Sequence, residues 1–232
     1  MAALLYQYEI DREFPDAVML EAKATPQSVE ESAVAGRLDL RDKVVITIDG
    51  ASSKDLDDAV SLERDGLGRW VLGVHIADVS HYVRPGSALD LEAWERGTSV
   101  YFADQVVPML PRELSNGICS LNPRVDRLAL SCVMTLTPEG EVVDHTIAKS
   151  VIRTTERMTY EDCNALLAHS DPALAERYAR ILPMLEDMAA LSRVLEGRRR
   201  RRGALELDTR ESYVGCDESG TPVDVVLRTP GI

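Results

Sequence analysis

Val44-Val45-Ile46-Thr47-Ile48-Asp49-Gly50-Ala51-Ser52-Ser53-Lys54-Asp55-Leu56-Asp57-Asp58-Ala59-Val60 is the stretch that decides the fold. Val44, Val45, Ile46 and Ile48 form a compact β-branched run, the composition of a buried strand, and the run ends at Asp49. A Gly/Ser-rich loop follows, and apolar character returns at Ala59. The pattern predicts strand, fold-back and strand, with acidic residues gathered at the turn.

Working outward, Ala59 to Glu63 and Trp70 to Val79 read as strands joined by a turn at Asp65-Gly66 and Gly68. Leu128 to Leu136, the turn Pro138-Glu139-Gly140, and Val142 to Val151 predict a second hairpin. Between the two lies a segment from Tyr82 to Arg127 that reads as loop-rich, carrying Pro85, Pro108, Pro111, Asn116-Gly117 and Asn122-Pro123. A helical stretch follows. Thr159 with Asp162 forms a capping pattern for Tyr160 to Ala168, and Asp171-Pro172 starts another helix. Leu185, Met188, Ala189 and Leu195 repeat at helical spacing, and Pro183 is expected to kink or restart that helix. Met184 and Met188 are expected in the core. Beyond Gly203, strands are expected at Ala204 to Asp208, Ser212 to Cys216 and Val223 to Arg228, with a turn at Ser219-Gly220. Residues 1–40 read as short helices, with Pro15 and Pro26 at first-turn positions and Gly36 as a stop. The fold class is α+β (mixed α/β), an antiparallel or mixed sheet flanked by helices. Residues 1–40 form a helical lead-in, and residues 41–232 form the main domain, which reads as interrupted at Thr229-Pro230-Gly231-Ile232.

Composition sets outer limits. The chain has 232 residues, 45% hydrophobic and 28% charged, enough for a core without staples. No apolar run approaches a membrane span, and Ala2 to Leu5 meets Glu9, Asp11 and Glu13 too soon for a signal peptide. The cytoplasm is the expected setting. Cys119, Cys132, Cys163 and Cys216 are widely separated and read as reduced, mostly buried thiols. A net charge of −13 argues against a nucleic-acid surface unless cations mask some carboxylates.

Asp49, Asp55, Asp57 and Asp58 have the spacing D-x5-D-x-D-D. Two carboxylates 4 Å apart repel by about 4 kcal/mol at an effective dielectric near 20, so convergence needs a cation between them. With oxygen donors alone, Mg²⁺ or Mn²⁺ suits the site better than a softer metal. A solvated acidic turn fits the same composition, and a phosphotransferase with a nucleophilic aspartate is a weaker option. An EF-hand is excluded because the twelfth position from Asp49 is Val60. His75, Asp78 and His81 recur every third residue, which invites a zinc reading, but a strand-to-turn setting would not put them on one face. Structural support is the expected role. Arg198 to Arg202 suits either a phosphate patch or the end of a helix dipole.

The string Val45 to Val60 resembles the catalytic signature of the ribonuclease II / ribonuclease R exoribonucleases. The resemblance continues through Val74-His75-Ile76-Ala77-Asp78-Val79-Ser80-His81-Tyr82-Val83, Arg96-Gly97-Thr98-Ser99-Val100-Tyr101-Phe102 and Pro108-Met109-Leu110-Pro111. It extends through Leu114-Ser115-Asn116-Gly117-Ile118-Cys119-Ser120-Leu121-Asn122-Pro123, and covers nearly all of the chain from Arg41. The resemblance implies the N-terminal portion of the family's catalytic (RNB) domain. It further implies processive 3′-to-5′ hydrolysis of single-stranded RNA to nucleoside 5′-monophosphates by a two-metal mechanism. Asp49, Asp55, Asp57 and Asp58 match the family's metal-site aspartates. Asp57 is then the residue most critical for chemistry, Asp49 and Asp58 the most direct ligands, and Asp55 a ligand partly through water. Tyr101 matches the aromatic that stacks on the terminal base, a contact worth roughly 1–3 kcal/mol per base. Family members often carry a Phe after the Gly-Ala pair, where this chain has Leu205 and Leu207 behind Gly203-Ala204. The implied partner is RNA rather than DNA or a membrane, and the parent enzyme is expected to be a monomer. A Ser-Pro-Ile-Arg-Arg-Tyr-like motif, a catalytic arginine, a further acidic residue and the flanking RNA-binding barrels do not occur in the sequence. The alternative is therefore a catalytically incompetent fragment, or an RNA- or metal-binding module.

Overall fold

The structure is a computed structural model that describes residues 2–103, 105–205, 212–217 and 221–227. Helices α1 (Ala2–Gln7), α2 (Asp16–Ala24) and α3 (Glu31–Val34) come first. Strands β1 (Leu38–Asp39), β2 (Ile46–Asp49), β3 (Asp58–Arg64) and β4 (Trp70–Ala77) follow. Helices α4 (Val79–Tyr82) and α5 (Ala88–Arg96) precede the short strands β5 (Val100–Tyr101) and β6 (Val106–Val107). The long strands β7 (Asp126–Leu136) and β8 (Val142–Arg153) lead into β9 (Glu156–Thr159). Helices α6 (Tyr160–Leu167), α7 (Pro172–Arg177) and α8 (Leu182–Arg201) precede β10 (Ser212–Cys216) and β11 (Pro222–Leu227).

The chain divides into two compact units. One comprises Ser28–Asp78, Cys119–Asp208 and Pro230–Ile232. Its centre is a seven-stranded mixed sheet in the order β1-β8-β7-β4-β3-β2-β9. The strands from β8 to β2 pair antiparallel, whereas β1 joins β8 and β9 joins β2 in parallel. The two expected hairpins form where the turn residues put them. Gly68 takes φ 75°, and its N–H donates to the Asp65 carbonyl at 2.9 Å.

Each sheet face has its own chemistry. On one face Ile46, Leu62, Trp70, Leu136 and Met158 pack against Cys163, Leu166, Tyr178, Ile181, Met184, Leu185 and Leu191 from the α6–α8 segment. Each large apolar side chain so buried contributes roughly 1.5–3 kcal/mol. Thr159 and Asp171 cap α6 and α7, accepting from Asp162 N and Leu174 N at 3.0 Å each. Pro183 lies in the first turn of α8, so it restarts the helix.

The opposite face is polar within. His75 Nε2 lies 3.0 Å from Ser61 Oγ and its Nδ1 lies 2.7 Å from Ser131 Oγ. Ser131 Oγ lies 2.6 Å from Ser150 Oγ, which donates to the Ala129 carbonyl at 3.2 Å. This line crosses four strands, with His75 directly opposite Ser131 and the Ser61–His75 and Ser131–Ser150 contacts diagonal. It needs a bare backbone at Gly73, where a Cβ would collide with Ser61 Oγ and the His75 ring.

The other unit comprises Met1–Gln27, Val79–Ile118 and Thr209–Thr229. Glu21 on α2 accepts from the Ala88 and Leu89 N–H groups at 3.0 Å each, and these bonds hold its carboxyl below the usual range. A carboxylate at that place satisfies the open donors at the start of α5.

Several expectations need correction. The segment from Tyr82 to Arg127 is less loop-rich than its prolines predict, because α5 occupies Ala88–Arg96. Ser87 accepts from Asp90 N at 3.2 Å, and Gly97 ends the helix at φ 69°. Glu113–Ile118 is also a wide helical turn, broken at Gly117. Pro26 follows the end of α2 at Thr25 and starts no helix. The strand expected to reach Val79 stops at Ala77, and Val79–Tyr82 is a single helical turn. Ala204 and Leu205 are not in a strand, while Leu207, the rest of that expected strand and the Ser219-Gly220 turn lie outside the described residues. Of the four thiols, Cys119 and Cys163 are buried and Cys132 and Cys216 are partly so.

Candidate metal centre on the loop between β2 and β3

Two parts of the sheet unit hold the loop between β2 and β3. Its first half is a tight turn in which Ser53 N donates to the Gly50 carbonyl at 3.0 Å. Arg157, opposite Thr47 on the parallel strand β9, covers that turn. Its Nη2 donates to the carbonyls of Gly50, Ala51 and Ser53 at 3.1, 2.9 and 2.8 Å. The second half is fastened to Ser120. Ser120 Oγ accepts from Leu56 N at 3.1 Å and donates to the Lys54 carbonyl at 2.9 Å. Leu121 N adds a bond to the Leu56 carbonyl at 2.8 Å. Leu56 itself is buried, a single apolar peg among acids. Asp57 then joins β3, its carbonyl accepting from Ala77 N at 2.9 Å.

The four aspartates lie along this frame. Asp49 and Asp55 are half-buried, and Asp57 and Asp58 are exposed. The surrounding protein raises the Asp57 carboxyl above its usual range, and Asp55, Asp58 and Asp49 raise it further. Asp49 is raised in the same way by desolvation and by Asp58, against a lowering pull from Arg157, with Asp55 raising it too. The fold-back therefore brings the four charges within mutual reach. It does not close them into a coordination shell: among the described residues, no group of three or more His, Cys, Asp or Glu side chains is arranged to hold a metal ion. Carboxylates in mutual repulsion turn apart when nothing positive stands between them. The donor set is all oxygen, and the raised carboxyls of Asp49 and Asp57 mark crowded negative charge, which fits a hard divalent cation.

The remaining candidates separate clearly. Both His75 nitrogens have serine partners in the sheet, and burial lowers its pKa to about 4, so it is a neutral structural imidazole. Asp78 pairs with Arg37 at 2.7 Å in a buried ion pair. His81 stands edge-on to the Tyr82 ring at 4.8 Å. The three thus support structure, as expected. Tyr101 ends β5 in the other unit and is 66% exposed, so core packing does not account for it. In the arginine run, Arg198 donates to the Glu139 carbonyl at 3.4 Å and Arg200 pairs with Glu196 at 3.0 Å. These contacts support the helix-end reading for those two. Sequence reasoning missed Arg157 and Ser120 as holders of the loop. Ser120 sits in one of the strings that carry the family resemblance, but nothing in either residue's neighbourhood announces a bond to a distant backbone.

The sequence profile of the RNB domain matches residues 37–230. The chain belongs to the RNB family. Among curated relatives, ribonuclease R 1 of Lactococcus lactis is 52% identical over 99% of this chain and 28% of its own length. Ribonuclease R of Thermotoga maritima is 48% identical over 95% of this chain and 31% of its own length. Among solved structures, Mycoplasma genitalium RNase R in complex with ribose methylated single-stranded RNA matches with a TM-score of 0.90 at 30% identity. That match covers 99% of this chain and 35% of the other. The chain thus spans about a third of the RNB proteins it resembles, and its mixed sheet with helices is the architecture of their RNB domain.

Proposed function

We propose that this chain supplies the four-aspartate portion of a 3′-to-5′ hydrolytic exoribonuclease that releases nucleoside 5′-monophosphates. One observation carries the reading: in an RNB-family domain, Asp49, Asp55, Asp57 and Asp58 lie along one fold-back loop, where desolvation and the neighbouring aspartates raise the carboxyls of Asp49 and Asp57. These residues would hold Mg²⁺, or Mn²⁺ in its place. Bound there, two such ions would supply an activated water and charge neutralisation at the leaving 3′ oxygen. The chain's own part is to bring the carboxylates together on a backbone pinned by Arg157 and Ser120.

The substrate is single-stranded RNA entering by its 3′ end. Tyr101 would stack on the terminal base, a contact every base accepts, so the enzyme need not read sequence. A solved relative bound to single-stranded RNA supports this partner. The net charge of −13, which opposes a nucleic-acid surface on the chain by itself, favours a second reading, a catalytically incompetent fragment that binds metal without cutting.

The test is digestion of 3′-labelled single-stranded RNA across a Mn²⁺ and Mg²⁺ titration. Metal-dependent release of 5′-monophosphates is expected. Asp57→Asn should reduce it by more than the roughly 10–100-fold typical of losing an outer-shell partner. Uptake of ions without nucleotide release would select the second reading.

A further inference from the structure

Arg157 sets a cationic group against the acidic loop, yet its hydrogen bonds there go to backbone. One nitrogen, Nη2, serves three carbonyls, Gly50, Ala51 and Ser53, at 2.8–3.1 Å. Nη2 carries two hydrogens, so at least one is shared between acceptors. The Arg157 Nε is buried with no hydrogen-bond partner among the described residues, a costly arrangement that a side chain placed only for stability would tend to avoid.

The three carbonyls bracket the turn between Asp49 and Asp55. Gly50 directly follows Asp49, and Ser53 stands two residues before Asp55. Gathering them onto one atom fixes how far the end of β2 lies from the start of the Asp55–Asp58 run. Ser120 fixes only the later half of the loop, at Lys54 and Leu56. Without Arg157 the Gly-Ala-Ser-Ser segment would retain one internal bond, Ser53 N to the Gly50 carbonyl, with a glycine to swivel on.

We infer that Arg157 is the positioning residue of the candidate metal centre: by gathering the Gly50, Ala51 and Ser53 carbonyls it sets the spacing between Asp49 and the other three aspartates. The inference rests on the metal reading of the aspartate loop and deepens it. It also makes a prediction opposite in sign to simple electrostatics. A nearby cation repels a divalent ion, so losing Arg157 should tighten ion binding by charge alone. If positioning dominates, its loss weakens binding. Lysine keeps the charge but carries its three donors at the end of a flexible stem in place of a rigid planar fork.

The experiment is Mn²⁺ titration of the protein, with free ion followed by electron paramagnetic resonance and folding checked by thermal unfolding. The variants are Arg157→Gln, Arg157→Lys, Asp49→Asn, and Arg153→Gln as a charge-loss control on β8. Arg157→Gln is expected to weaken Mn²⁺ binding by roughly 10–100-fold, the usual cost of losing an outer-shell partner. Arg157→Lys should recover part of that loss, and Arg153→Gln should match the wild type. Unchanged or tighter binding in a folded Arg157→Gln protein overturns the inference. If the Gln variant does not fold, the Lys variant decides: weaker binding at unchanged charge supports positioning, and wild-type binding overturns it. A wild type that takes up no more Mn²⁺ than Asp49→Asn overturns the metal reading itself, which separates the two failures.

Discussion

Strand β3 is entered through one acidic segment and left through another, and the two are built on opposite principles. At its far end, Asp65 closes a tight turn with its own carboxylate. It accepts from Leu67 N at 2.9 Å, Arg69 N at 3.0 Å and Arg69 Nε at 2.7 Å. Burial pushes the Asp65 carboxyl up, but the bonds from Arg69 and Leu67 together prevail and hold it below the usual range. At the near end, the 50–57 loop receives its bonds on carbonyls and on Leu56 N, from Arg157, Ser120 and Leu121. There the carboxyls of Asp49 and Asp57 are raised. An aspartate that serves the fold carries its compensating donors with it. In the loop the backbone is secured while the charges stay in mutual conflict, an arrangement that makes sense when a ligand resolves the conflict.

Asp78 is the extreme of the first kind, and it offers the largest test. Its partner Arg37 is as buried as it is. Asp78→Ala should therefore cost about 3–5 kcal/mol in denaturant unfolding, because a buried guanidinium loses its counter-charge. Asp57→Asn, measured beside it in a chelator at neutral pH, should cost nothing, since the fold already disfavours the ionised form. Similar losses in both would break the comparison.

A smaller test concerns acid. Burial lowers the His75 pKa from an ordinary 6.5 to about 4. The unfolded chain takes up this proton at a higher pH than the folded one. Stability is then full above pH 6.5 and is lost as pH falls toward 4, by up to about 3 kcal/mol. The slope of unfolding free energy with pH over that interval should be shallower in His75→Asn than in wild type. Equal slopes would mean that the carboxylates alone govern acid unfolding. The smallest effect is expected from Asp65→Asn: a slight drop in the thermal midpoint and unchanged Mn²⁺ uptake. A change in uptake would show that the two acidic segments are not independent.

What the sequence made legible follows from how local each signal is. The β3–β4 turn was readable because Asp65, Gly66 and Gly68 supply its hydrogen bonds and positive φ from within five residues. The Thr159 and Asp171 caps act on residues three positions away, and so were legible too. Helix α5 has a similar cap at Ser87, but it sits between prolines and asparagines that weigh toward loop, and its other cap comes from Glu21 on α2. The parallel pairings of β1 with β8 and β2 with β9 leave no trace in hydrophobic period. At the site, spacing and resemblance marked the four acids. Their holders were invisible because a donor to a distant carbonyl imposes no pattern on its own neighbours.

The parallel seating of β9 beside β2 also sets a timetable. Arg157 is made 107 residues after the Gly50 carbonyl it will hold. At a synthesis rate of roughly 5–20 residues per second, about 5–20 s pass on the ribosome before the clasp for the acidic loop exists. Through that interval the nascent chain carries the acids without Arg157, so the Gly50, Ala51 and Ser53 carbonyls stay ungathered until β9 has been made.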